Sequence, residues 1–143
     1  MSKLLQRARQ EAIKATTTAV IAWDDTIPQN TEGLEIISLA FTPVSATSTL
    51  YIKVESLLRG YGTIALFVDS TADALAAIGK GTNTVRAYPE TLSYTAASGS
   101  TSARTYKVRI GQDTATLYNY PNIADDNGGT AVLSNITILE VEA

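Results

Sequence analysis

In the stretch TLYIKVESLL (49–58), Leu50, Ile52 and Val54 alternate with Tyr51, Lys53 and Glu55. Successive side chains of an extended chain point to opposite faces, so this spacing gives one apolar face and one polar face. That is the pattern of a strand half-buried in an antiparallel sheet. The period of two returns along the chain in LEIISLAF (34–41), GTIALFVD (62–69), RTYKVRIG (104–111), TATLYNY (114–120) and AVLSNITILEV (131–141), all short and rich in β-branched or aromatic residues. In RTYKVRIG, Tyr106, Val108 and Ile110 oppose Lys107 and Arg109. Asn30, Pro43, Gly60, Gly62, Gly111, Pro121 and the DDNGG run (125–129) supply turn chemistry between the runs. NTVRAYPETLSYTA (83–96) holds one or two further strands, and Pro89 confines it to an edge or a bend. TADALAAIG (71–79) is the one helical expectation, with Thr71 or Asp73 as cap and Gly79 as stop. About eight strands with so little helix imply an all-β domain, either a β-sandwich of jelly-roll type or a barrel.

The chain has 143 residues, enough for one domain that buries its own core without a metal or a disulfide. It contains no cysteine and no histidine. The first absence removes disulfides and thiolate chemistry; the second removes the usual general base near neutral pH and the commonest metal ligand. A catalytic role would need a convergent carboxylate pair that the sequence does not display, so no enzyme activity and no cofactor are expected. No window approaches the roughly 18 apolar residues of a membrane span, and no apolar run of signal length follows the basic N-terminus. A soluble, unexported protein is the expectation.

Charge is unevenly placed. Up to residue 14, Lys3, Arg7, Arg9 and Lys14 oppose only Glu11, giving plus three on a chain whose net charge is −3. A basic extension on an acidic body is read as an arm, residues 1–20, attached to a domain at 21–143. The last strand is unusual. In SNITILEVE one face carries Ile136 and Ile138, and the other Leu133, Leu139 and Val141, with Asn135 and Thr137 between them. Such a strand lies either in the middle of the sandwich or against another subunit, and oligomerisation is the more economical explanation. Seven tyrosines against one tryptophan and two phenylalanines also suit amphipathic contact surfaces.

Four segments, WDDTIPQNTEGLEIISLAFTPVSATSTLYIKVE (23–55), ALFVDSTADALAA (65–77), TYKVRIG (105–111) and SNITILEVE (134–142), together resemble a domain of tailed-bacteriophage virion proteins, often found as the head of a tail fibre. The resemblance covers about residues 20–142; DDTIPQNTEG and its spacing to the ending are its most specific part. It implies an antiparallel jelly-roll β-sandwich that assembles as a homotrimer on the virion surface after synthesis in the host cytoplasm. The trimer interface is then expected at Leu133, Ile136, Ile138 and Leu139. With only about 20 residues before the domain and no coiled-coil or collagen-like shaft, the chain is read as a capsid decoration protein. Its arm would hold the major capsid protein, or another virion protein, through Lys3, Leu4, Leu5, Arg7, Arg9, Ile13 and Lys14. Three arms acting together would gain effective concentration. The alternative is a receptor-binding tip domain of a tail fibre that recognises a host surface polymer; Tyr118 and Tyr120 would then stack on a glycan, although strand-end packing is the plainer reading of that pair.

The remaining motifs have plainer readings. Asp24 and Asp25, adjacent on the chain, are read as a turn rather than as an acid–base pair. DDNGG lacks the alternate spacing and closing Glu of a calcium loop. Asn135–Thr137 fits a glycosylation pattern inside a strand and is read as chance. SYTAASGSTSAR (93–104) is expected to be an exposed loop. Four basic residues would hold nucleic acid only weakly, so neither nucleic acid nor membrane is an expected partner.

Overall fold

A computed structural model describes residues 2–13, 17–59, 61–80, 87–112 and 134–143. Its strands are β1 (Leu4–Glu11), β2 (Leu34–Phe41), β3 (Thr49–Arg59), β4 (Gly62–Val68), β5 (Ala76–Lys80), β6 (Ala87–Ala97), β7 (Arg104–Gly111) and β8 (Asn135–Val141). They form two antiparallel four-stranded sheets, ordered β1-β8-β3-β6 and β2-β7-β4-β5, and no helix occurs among the described residues. The strands pair as though the chain were one long hairpin: β1 with β8, β2 with β7, β3 with β6 and β4 with β5. Two further ladders, β3 with β8 and β4 with β7, join these pairs into the sheets.

The apolar faces meet between the sheets. Leu50, Ile52, Val54, Leu92, Ile136 and Ile138 from one sheet pack with Ile37, Phe41, Ile64, Leu66, Val108 and Ile110 from the other. Each such side chain contributes roughly 1.5–3 kcal/mol on burial, so this layer is the main source of stability. In β2 the register slips between Glu35 and Ile37, and this bulge lets the consecutive Ile36 and Ile37 both turn inward. Strand β4 is buried on both faces: Ile64 and Leu66 join the main core, while Ala65 and Phe67 pack under Ile21. Segment 17–33 thus covers the outer side of its sheet. Gly33, at φ 65°, makes this approach possible, since a Cβ there would lie 2.6 Å from the Ile110 carbonyl oxygen and 2.8 Å from Ile21.

Five of the runs with period two lie where the sequence places them, in β2, β3, β4, β7 and β8; the run 114–120 and DDNGG lie outside the described residues. Strand β6 is an edge strand, as Pro89 requires. It runs to Ala97, so only 98–103 of the expected loop is loop.

The helical expectation for 71–79 is wrong. Residues 76–80 pair with β4, and the polar residues before them are held by segment 28–30 rather than by a helical ladder. The Asn30 amide donates to the Ser70 and Thr71 carbonyls at 3.2 and 3.1 Å, and its backbone N–H donates to Ala72 at 2.8 Å. The Ala74 N–H donates to the Pro28 carbonyl at 2.9 Å. With those groups satisfied elsewhere, the helix propensity of the alanines has nothing to act on.

The N-terminal extension is not a free arm either. Residues 4–11 are an edge strand against β8, and the Glu142 N–H and Ser134 carbonyl continue the ladder to Lys3 and Ala12. The Ile13 N–H then donates to the Ile36 carbonyl at 3.0 Å, carrying the chain across to the other sheet. A boundary at residue 20 therefore falls inside the sandwich. Arg7 and Arg9, two of the basic side chains that suggested a tail, alternate with Ala8 and Gln10 because they occupy the solvent face of a strand.

One end of β1 is fixed by an unexpected group. Glu140 follows Ile136 and Ile138 on the inner face of β8 and has no exposed surface. Its carboxylate accepts hydrogen bonds from the Val44 and Ser45 N–H groups at 2.9 Å, from the Ser48 hydroxyl at 2.5 Å and from the Gln6 amide at 2.6 Å. Burial pushes this carboxyl up, but the bonds from Ser48, Val44, Gln6 and Ser45 outweigh it and bring it down to about 2. Glu140 thus ties the 42–48 loop and strand β1 to the last strand.

Candidate binding face

The outer face of the β1-β8-β3-β6 sheet is built from the polar half of each alternating strand. Its registers set side chains in rows across all four strands. One row is Arg7, Leu139, Tyr51 and Thr95; the next is Arg9, Thr137, Lys53 and Ser93; the third is Glu11, Asn135, Glu55 and Thr91. Neighbouring strands lie about 4.8 Å apart, so each row spans roughly 14 Å.

Charge is balanced in the second and third rows. Arg9 pairs with Glu11 at 2.9 Å and Lys53 with Glu55 at 2.7 Å, both along one strand. The Asn135 amide adds a long bond to Glu55 at 3.5 Å, and the Thr137 hydroxyl donates to Asn135 Oδ1 at 3.3 Å. The Lys53 ammonium holds the Glu55 carboxyl below its usual range, with desolvation opposing it and Asn135 assisting. Arg7 in the first row makes no ion pair among the described residues. Beside it Leu139 is half-buried, and Tyr51 is 48 % exposed.

An open groove of about 410 Å³ runs over this face, lined by Arg7, Tyr51, Lys53, Glu55, Thr95 and Leu139 among others. Its volume lies within the range of small-ligand sites. It offers the Arg7 guanidinium, which has no acidic partner among the described residues, an aromatic face, an aliphatic floor and hydroxyls from Ser93, Thr95 and Thr137. Such a set binds by charge, stacking and hydrogen bonding.

The residues expected to form an arm are dispersed. Arg7 and Arg9 stand on the outer face, while Leu4 and Ile13, 53 % and 57 % exposed, lie at the two ends of β1. Lys3 is exposed and Leu5 half-buried; Lys14 lies outside the described residues. Of the residues expected at a trimer interface, Ile136 and Ile138 have no exposed surface. Their side chains fill this chain's own core, because β8 is a central strand, and have nothing to present to a second subunit. Leu139 faces the groove; Leu133, Tyr118 and Tyr120 lie outside the described residues. The Asp24–Asp25 pair does form a turn, in which Asp24 accepts from the Thr26 N–H at 2.8 Å and the Thr26 hydroxyl at 2.5 Å.

Tyr51, Lys53 and Glu55 are legible in the sequence as the solvated side of TLYIKVESLL, but the alternation alone gives no sign that β1 and β6 would complete a common surface with them. Neither a family model nor a characterised protein sequence matches this chain.

Proposed function

We propose that this chain is a bacteriophage virion structural protein: a capsid decoration protein that assembles as a homotrimer on the virion surface and acts by binding rather than by catalysis. The observation that carries the reading is the strand order, β1-β8-β3-β6 facing β2-β7-β4-β5. A long hairpin with strands paired 1–8, 2–7, 3–6 and 4–5, with alternate pairs in opposite sheets, supports reading the sandwich as a jelly-roll. That architecture recurs in viral capsid proteins and in lectins. The step from fold to virion is an analogy of architecture and joins the resemblance of DDTIPQNTEG and its neighbouring segments. The packing gives DDTIPQNTEG a structural task, since Gln29 and Asn30 clamp the β4–β5 turn and Arg109 donates to the Gly33 carbonyl at 2.9 Å.

Attachment in this reading passes through edge strand β1 rather than through a loose arm. Among the described residues no strand neighbours its outward edge, and its ends expose Leu4 and Ile13. An unpaired edge is a template for pairing with another chain. The test is to pellet undecorated phage heads with wild-type protein and with the double variant Leu4→Asn, Ile13→Asn. Wild-type protein should co-sediment and the variant should stay in solution. Failure of the wild type to bind heads would overturn the decoration reading, and equal binding of the variant would overturn attachment through β1.

A second reading, the receptor-binding tip of a tail fibre, is favoured by the groove on the outer sheet face. Pelleting the same two proteins with host cells separates the readings: binding to cells but not to heads selects the tip.

A further inference from the structure

We propose that the groove over Arg7, Leu139, Tyr51 and Thr95 is a binding site for an acidic saccharide, a pyranose carrying a carboxylate. The inference rests on the groove's chemistry and stands apart from the proposed place of the chain in a virion.

Charge selects an anion. Lys53 is held by Glu55, and Arg9 by Glu11, while Arg7 carries a guanidinium with no acidic partner among the described residues. A guanidinium is a planar fork of donors matched to a carboxylate, which it binds through two parallel hydrogen bonds. Glu55, the acid lining the groove, stands two rows away at the opposite end, so the anion belongs at the Arg7 end.

Shape and polarity select the rest of the ligand. Tyr51 lies two strands from Arg7 across Leu139, about 10 Å at the usual strand spacing. A pyranose ring has an apolar face of C–H groups that rests on Tyr51 and Leu139, while its carboxylate reaches across to Arg7. Its hydroxyls then meet Thr95 and Ser93, which both donate and accept, on one side, and Thr137, whose hydroxyl donates to Asn135 and accepts from the sugar, beneath. A flat aromatic anion would use the ring and the charge but leave those hydroxyls without partners. A simple inorganic anion would use only Arg7.

The test compares methyl glucuronide with methyl glucoside, which differ by a carboxylate in place of a hydroxymethyl group. Backbone amide shifts in 15N-labelled full-length protein report binding at Lys53, Thr95 and Thr137. The glucuronide should shift these amides with a dissociation constant of about 1 mM, the glucoside should bind about tenfold more weakly, and added salt should narrow the difference. Arg7→Gln should abolish the preference for the acid while leaving the weak binding of the neutral sugar. Arg7→Lys should keep part of the preference, because it retains charge without the fork. Tyr51→Ala should weaken both sugars. Both side chains are exposed, so an undisturbed amide spectrum away from the groove serves as the folding control. Absence of shifts with glucuronide, equal affinity for the two sugars, or a preference that survives Arg7→Gln would each overturn the proposal.

Discussion

Replacing Glu140 with glutamine tests whether a buried anion secures the end of the sandwich. The substitution keeps the side-chain shape but removes the charge and puts an NH2 group where the carboxylate meets Val44, Ser45, Ser48 and Gln6. All four of those contacts are donors, so at least one will face another donor. At pH 7 the expected loss is about 2–4 kcal/mol, the range for a buried, charge-assisted network deprived of one partner. The pH dependence is the sharper signature. The folded carboxyl titrates at about 2 against 4.5 for the unfolded chain, so the folded state binds fewer protons. Its contribution is therefore complete above about pH 5 and is lost as pH falls toward 2. The full shift corresponds to about 3 kcal/mol for a carboxyl with no exposed surface. Urea denaturation of both proteins from neutral to acid pH should show the wild type losing that amount and the variant not, with the two curves converging at low pH. Curves that stay parallel, or a variant as stable as the wild type at pH 7, would refute the reasoning.

Deleting residues 1–12 should destabilise the protein by about 3 kcal/mol or more in urea denaturation, because it strips β1 from β8 and Gln6 from Glu140; an unchanged midpoint would restore the free arm. Ile138→Asp should abolish the folded circular dichroism spectrum, since an uncompensated carboxylate in the core costs several kcal/mol. Gly79→Ala should shift the emission of Trp23, the single tryptophan, because a Cβ there would stand 2.7 Å from Trp23 Nε1 and must displace a ring that packs 5.7 Å from Tyr61.

Strands β2, β3, β4, β7 and β8 were readable because each carries its own alternating pattern. The first and fifth strands were not. In LLQRARQE the inward positions of β1 are filled by Gln6, Ala8 and Gln10, too polar and small to signal a core face, so its outward arginines look like a tail. In β5 the local alanine content favours helix, and the deciding interactions come from Asn30 and Pro28, more than 40 residues away. Glu140 did leave a sign: it holds the next inward position after Ile136 and Ile138, where an acid is expected only with a set of donors. Those donors are two backbone groups and a serine hydroxyl from a loop more than 90 residues earlier, together with the Gln6 amide of β1, a set that composition does not reveal. The groove was legible one strand at a time, and its rows exist only once β1 and β6 flank the central pair.

The central claim, that the chain decorates a phage head, is tested most directly by its copy number in purified virions. Quantitative mass spectrometry against the major capsid protein should find hundreds of copies per particle, in a fixed ratio to the capsid lattice. A handful of copies in a small multiple of three would place the chain on a tail fibre, and its absence from the particle would contradict a virion role altogether.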